Sequence, residues 1–297
     1  MGPYRAALTI DASLVRRLIA VQFPHWAHFP IRPVDQMGWD NRTFRLGRDM
    51  AVRLPSAAVY APQVAREHRW LPILGPQLPV AIPVPLALGQ PGEAYPWQWS
   101  VYRWLPGEAA SARPARDWRP LARSLASFLA ALQRVDPSGG PAPGADNFHR
   151  GGMLETYDGQ TREAVSLLRD RIPTGAAMRV WEAALAPRFE GAPVWLHGDI
   201  SPGNLLIAGD ELVGVIDFGS CVVGDPACDL AIAWMSMDRQ GREAFRSALP
   251  LDPGTWARAR GWALWKLLLI CSGRAAADPA TVARSFAALE EILEAVG

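Results

Sequence analysis

The chain has 297 residues, 49% apolar and 20% charged, with a net charge of +1; this is the make-up of an ordinary globular protein, long enough for one large domain or two modest ones. So even a balance gives no case for a nucleic-acid or membrane partner. No N-terminal stretch has a basic start followed by an apolar run, and the most apolar segment, residues 262–270, is short and contains Lys266. A buried helix in a cytoplasmic protein is expected there, not a leader or a membrane span.

Cys221, Cys228 and Cys271 are odd in number and lack zinc-ligand spacing, so they predict small buried hydrophobes in a reducing compartment. Lys266 is the only lysine, against 29 arginines, a bias that points to a genome rich in G and C.

In chain order, Asp11 is a good N-cap for a helix of about eleven residues with Leu14, Val15, Leu18, Ile19 and Gln22 on one face. Residues 34–41, 42–47 and 50–55 read as three short strands, with turns at Trp39-Asp40-Asn41 and Gly47-Arg48-Asp49. Residues 62–74 are helical, with Glu67 in the middle. The run 79–89 holds three prolines, so any strand there is brief or at an edge. Residues 99–105 are a better strand, stopped by Pro106-Gly107, where the domain boundary is placed (1–105 and 106–297). Beyond it, 117–135 carries an apolar stripe of Leu121, Leu125, Phe128, Leu129 and Leu132. Residues 136–152, rich in glycine and proline, predict a long loop. Helices are expected near 161–171, 176–189, 241–249, 255–273 and 281–296. A strand-rich first third followed by a helical body with one hairpin is an α+β fold with two lobes.

The chemistry concentrates in residues 194–234, where His197-Gly198-Asp199, Asn204 and Asp217-Phe218-Gly219 interrupt apolar runs. Polar groups beside buried strands are costly unless they meet each other, water or a cation. Gly209-Asp210 reads as a tight turn between strands 205–208 and 212–216, which would bring Asn204 and Asp217 to the two open ends of one hairpin. That arrangement suits two oxygen ligands on a hard divalent ion, magnesium held with a nucleotide's phosphates, and leaves Asp199 to accept a proton from an attacking hydroxyl.

Taken together, His197-Gly198-Asp199, Asn204, Ile216-Asp217-Phe218-Gly219, Gly224-Asp225-Pro226 and Asp229-Leu230-Ala231 resemble the aminoglycoside phosphotransferase family, small-molecule kinases with the two-lobed protein-kinase fold. The likeness covers nearly the whole chain in element order; its specific part is the central stretch. It implies that Asp199 is the catalytic base or hydroxyl-orienting carboxylate, and that Asn204 and Asp217 bind magnesium. It implies structural roles for His197 and Asp225, and for Asp229 that of tying the loop by accepting backbone N–H groups.

By the same resemblance the first third is the nucleotide lobe, for ATP or GTP. Arg53 stands where the family has a strand lysine, with Glu67 as its ion-pair partner. Arginine keeps the charge and forks onto phosphate and carboxylate, so a functional substitute is expected; a solvated Arg–Glu pair on a surface strand is the plainer alternative. The phosphate-covering loop would be Gly38-Trp39-Asp40-Asn41, which lacks the G-x-G-x-x-G signature. Main-chain groups of Arg103, Trp104 and Leu105 would meet the purine edge.

Only five residues separate Gly219 from Asp225, and no Ala-Pro-Glu follows. There is no room for a peptide-docking activation segment, so the acceptor is expected to be a small-molecule hydroxyl. Its pocket should be walled by the insertion after Asp136 and the helices after Trp234. The family's default acceptor is an aminoglycoside, but acidic and basic residues in 146–190 and 235–297 balance at 14 each, which gives no push toward a polycation. Local acidic patches (Glu155 with Asp158, or Glu290, Glu291 and Glu294) are conceivable, and Trp181, Trp234, Trp256, Trp262 and Trp265 are either core or the wall of a macrolide-sized pocket. A macrolide, another antibiotic or a metabolite stays open as acceptor, as does a non-catalytic nucleotide-binding module. A metal-dependent phosphohydrolase lacks the paired His-Asp ligands it needs.

Overall fold

Asp11 accepts the Leu14 N–H at 2.8 Å and so caps helix α1 (Ala12–Gln22). The structure, a computed structural model, describes residues 8–35, 38, 40–113 and 117–294. The chain forms two compact units. The first comprises Met1–Gln77, Ala81–Pro106 and Gly214–Gly219, the second Leu78–Val80, Gly107–Val213 and Ser220–Gly297.

In the first unit, strands β1 (Ile31–Pro33), β2 (Asn41–Leu46) and β3 (Met50–Pro55) are followed by helix α2 (Ala61–Leu74) and strands β4 (Pro85–Gly89) and β5 (Trp99–Arg103). They make one antiparallel sheet in the order β1-β2-β3-β5-β4. β4, which opens on Pro85, is thus at an edge, where the missing donor costs nothing. Leu14, Val15, Leu18 and Ile19 of α1 share a core with Phe44, Val52, Trp99 and Val101. Burial of each such side chain is worth about 1.5–3 kcal/mol, which fixes the face α1 presents. The first strand differs from expectation. It covers Ile31–Pro33, whereas Val34, Asp35, Gly38 and Asp40 lie outside any strand, and Gln36, Met37 and Trp39 fall outside the described residues. Asp35, Gly38 and Asp40 there offer no alternating apolar face to bury.

The second unit begins with β6 (Glu108–Ala109) and α3 (Trp118–Arg134), whose apolar stripe is buried as the periodicity requires. Helices α4 (Asp158–Leu167) and α5 (Thr174–Leu185) follow, then β7 (Val194–Leu196), the hairpin β8 (Leu205–Ala208) and β9 (Glu211–Val215), and β10 (Val222–Gly224). β10 pairs antiparallel with β7, and β8 lies between β6 and β9. The last two residues of β9 count with the first unit, where the Val215 N–H bonds Ala81 O at 3.0 Å. The chain ends in α6 (Ile232–Met235), α7 (Arg239–Ala248), α8 (Pro253–Cys271) and α9 (Pro279–Glu294). α8 is the spine, packed against α4, α5 and α9 and against the turn Pro226–Ala231.

Two helices start earlier or stop sooner than expected. Thr161 does not open α4, because its hydroxyl bonds back to Tyr157 O at 2.9 Å in the helix interior. α5 ends at Leu185; Ala186 keeps helical backbone as the C-cap and donates to Glu182 O at 3.1 Å, and Pro187 after it has no N–H with which to continue the ladder. All three cysteines are buried and free. Among the described residues no helix is long and apolar enough to cross a membrane.

Candidate active site

In the second unit, β7 delivers the chain into His197-Gly198-Asp199. Asp229, only 1% exposed, accepts the N–H groups of His197 at 2.7 Å and Gly198 at 2.8 Å and ties the loop down. Burial pushes the Asp229 carboxyl up, against the downward pull of His197 and these two donors. Gly198 has φ +86°, and a Cβ there would stand 2.3 Å from the Ser220 carbonyl oxygen, so only glycine fits. His197 is fully buried, and its Nδ1 accepts the Asp199 N–H at 3.2 Å, which leaves the ring proton on Nε2.

Asn204 closes the loop. Its Nδ2 donates to Asp199 O at 2.9 Å and reaches Asp199 Oδ2 at 3.5 Å, so its Oδ1 has no partner among the described residues. The Asp199 side chain is 44% exposed, and α8 places Lys266 Nζ 3.1 Å from its Oδ1. Desolvation pushes the Asp199 carboxyl up, but the Lys266 ammonium and then the Arg150 guanidinium overcome it and hold the pKa at about 2. A carboxylate so held is permanently ionised at neutral pH: it accepts and orients a hydroxyl proton rather than storing one.

In the first unit, Arg53 on β3 donates through Nη1 to both oxygens of Glu67, at 3.1 and 3.3 Å, and through Nη2 to Asp217 Oδ1 at 2.6 Å. The Tyr102 hydroxyl also donates to Glu67. Burial works against the Arg53 charge, but Glu67 and Asp217 outweigh it and raise its pKa. Asp217 itself sits at φ +70°, a left-handed backbone that surrounding structure must enforce and that clusters at functional sites.

The other predicted nucleotide contacts are placed as follows. Gly38 O accepts Arg42 Nη1 at 2.9 Å, Asn41 opens β2 and is buried, and Trp39 lies outside the described residues. The Arg103 N–H is taken by Val84 O at 2.9 Å and that of Trp104 by Asp49 O at 2.7 Å. Trp104 also stacks its ring against the Arg45 guanidinium, 3.8 Å from the centroid. Of the three linker N–H groups, only that of Leu105 is without a partner among the described residues.

Each unit supplies one oxygen of the kind magnesium takes. Asn204 Oδ1 and Asp217 Oδ2 are hard oxygen donors without a partner among the described residues. No group of three or more His, Cys, Asp or Glu among the described residues could hold a metal alone, so phosphate oxygens would have to complete the shell.

Sequence reasoning missed two cations: Lys266, read only as an interruption of an apolar helix, and Arg150, read as part of a loop. That the one lysine of the chain meets Asp199 is a signal its rarity could have given. In each of the two acidic patches one carboxylate is paired with a cation. Asp158 meets Arg162 at 2.9 Å and Trp181 Nε1 at 2.7 Å, and Glu291 meets Arg242 at 2.6 Å. The five tryptophans are all buried, at 9% exposure or less, as core.

The profile of the phosphotransferase enzyme family (APH) matches residues 31–262. Over 67 residues, 21% of this chain, the sequence is 42% identical to an aminoglycoside 3'-phosphotransferase from Escherichia coli, a match that spans only 23% of that relative's length. The structure of an aminoglycoside 2'-phosphotransferase-IIIa in complex with GDP superposes with a TM-score of 0.70 at 17% identity, covering 97% of this chain and 100% of the other. That of a macrolide 2'-phosphotransferase from Brachybacterium faecium gives 0.60 at 24% identity, covering 94% and 97%. At such identities the likeness establishes a shared fold.

Proposed function

Because this chain belongs to the phosphotransferase enzyme family, we propose that it is a magnesium-dependent kinase that transfers the γ-phosphoryl group of ATP or GTP to a hydroxyl of a small molecule. The observation that carries this reading is the Asp199 carboxylate, held ionised and half-exposed by a loop that Asp229, His197 and Asn204 lock in place. Relatives of the same fold have been solved with GDP, ADP and ATP, and their acceptors are aminoglycosides or macrolides by name, which supports a nucleotide donor and a hydroxylated acceptor.

In this reading Asp199 accepts a hydrogen bond from the acceptor hydroxyl and aligns its oxygen on the γ-phosphorus; as the new P–O bond forms, the bond from that phosphorus to the β–γ bridging oxygen breaks, the nucleoside diphosphate leaves, and Asp199 passes the hydroxyl proton on to water. Asn204 and Asp217 would hold magnesium, which when bound neutralises charge on the β- and γ-phosphate oxygens. Arg53, fixed by Glu67, supplies positive charge to the nucleotide's phosphates, Gly38 and Asn41 flank the loop that covers them, and the Leu105 N–H meets the purine. The proton is the acceptor's own and leaves with the product's equilibrium in water.

The test is nucleotide consumption against hydroxylated compounds with Asp199→Asn and Asp217→Ala. Turnover should fall about 10²–10⁴-fold in the first while Mg-nucleotide still binds, and vanish in the second. Since the Asp199 pKa lies near 2, its carboxylate is lost only well below neutrality, so it should add no acid limb to the rate between pH 5 and 8. Nucleotide binding without turnover in the wild type, unchanged by Asp199→Asn, would instead favour a binding module.

A further inference from the structure

Resting on the kinase reading only for the identity of the acceptor, we propose that Arg150 and Lys266 form an oxyanion-binding seat beside Asp199, and that the acceptor carries a carboxylate or phosphate close to the hydroxyl it offers. Both residues lie in the tracts that the sequence assigns to the acceptor pocket.

Arg150 is held by a loop built for the purpose. Fully buried Asn147 accepts the Gly144 N–H at 2.8 Å and donates to Ala142 O at 2.8 Å, and the Tyr157 hydroxyl donates to Phe148 O. Phe148, His149 and Gly151 take φ of +54°, +49° and +67°, so Arg150 is flanked on both sides by left-handed backbone. For the two non-glycines this is a strained backbone that persists only when the surroundings impose it. A Cβ on Gly151 would lie 2.5 Å from Leu196 Cδ1.

The guanidinium so placed stands 5.6 Å from the Trp262 ring centroid and 5.3 Å from that of Trp265, the residue that precedes Lys266 on α8. Its Nε and Nη1 are buried and have no hydrogen-bond partner among the described residues. Buried donors left unpaired are costly, so such a pair in a native protein needs a reason, and a missing anionic partner supplies one. Among the described residues Lys266 bonds Asp199 alone. Asp229, also nearby, is 1% exposed and has its oxygens on the His197 and Gly198 amides. Around the half-exposed Asp199 carboxylate, then, two cations act: the Lys266 ammonium at 3.1 Å and the Arg150 guanidinium, which also holds that carboxylate ionised. An amine-rich ligand would meet like charge there, which costs several kcal/mol by the usual scale of mispaired charges. An oxyanion would pair with the planar fork of Arg150 and the ammonium of Lys266, with its hydroxyl left to Asp199.

Inorganic phosphate, titrated calorimetrically into the full chain with and without Mg-ADP, separates the two possible sources of the anion. Binding should occur in both conditions and weaken at least about tenfold in Arg150→Gln and Lys266→Met, with most of it kept in Arg150→Lys, while melting curves report that the variants fold. Absence of binding, or binding unchanged in Arg150→Gln, overturns the seat. Binding that requires Mg-ADP puts the anion on the nucleotide's transferred group and overturns the acceptor assignment. In nucleotide-consumption assays, D-glycerate or gluconate should be preferred to kanamycin, with Arg150→Gln raising the KM of the anionic acceptor about tenfold and leaving that of the nucleotide unchanged; preference for kanamycin overturns it. Phosphate binding that depends on Arg150 in a chain that turns over no nucleotide would keep the seat and sink the kinase.

Discussion

Arg53 is the residue at which this chain departs most from the pattern it resembles, and its geometry explains how the departure is tolerated. One guanidinium spans two carboxylates, Glu67 and Asp217, with its side chain 14% exposed and that of Glu67 only 4%. A lysine ammonium at the same position is a single point charge and lacks the fork that makes this bridge. Arg53→Met leaves Glu67 buried without its cation, which should cost about 3–5 kcal/mol of stability. Arg53→Lys restores the charge and should recover more than half of that. Urea unfolding of the three proteins measures the difference. Equal midpoints for Met and Arg would mean that the bridge contributes nothing, and Arg53 would then be no more than a strand residue.

At the level of elements, the helical stripes and the strong caps were legible, and the errors have one physical form. Helices α7, α8 and α9 were expected to open at Gly241, Thr255 and Thr281. In each, that residue is the third of the helix, and its N–H is bonded by an aspartate three positions back: Asp238 at 2.7 Å, Asp252 at 2.9 Å and Asp278 at 3.0 Å. Apolar period marks where burial begins, whereas the cap sits a turn earlier on exposed residues that carry no period. Strands β6, β7 and β10, two or three residues each, are too short to show alternation, and pairing partners distant in sequence define them. The contact between Lys266 and Asp199 spans 67 positions, so no local pattern announces it. The Arg53–Glu67 pair, by contrast, joins a strand to the helix after it, and spacing alone suggests it. The caps make a testable claim. Asp252→Ala should cost about 0.5–2 kcal/mol and Asp252→Asn far less, read as urea midpoints, because either side chain can accept the Thr255 N–H but alanine cannot. A midpoint in the alanine variant equal to the wild type would show that α8 is held by its packing alone.

Across the whole molecule, the stretch that reads as one motif is divided: Asp199 and Asn204 belong to the second unit, while Asp217 belongs to the first with Arg53 and Glu67. A ligand held by this set stabilises the chain only in its folded state, by RT ln(1 + [L]/Kd), about 2.7 kcal/mol when the free ligand is at 100 times Kd. For a protein of this size each kcal/mol moves the melting midpoint by about 2–4 °C, so saturating Mg-ATP or Mg-GTP should raise it by about 5–10 °C. Nucleotide with EDTA in place of magnesium should give only part of that rise, since the proposed magnesium ligands Asn204 and Asp217 would then have no cation to hold. In Asp217→Ala the difference between magnesium and EDTA should shrink toward zero, because one of the two oxygen donors is gone, while nucleotide alone still shifts the midpoint through Arg53. A midpoint indifferent to every nucleotide would remove the donor half of the reaction. A shift equal in magnesium and EDTA would remove Asn204 and Asp217 as its ligands and leave Arg53 and Glu67 as the nucleotide's principal contacts.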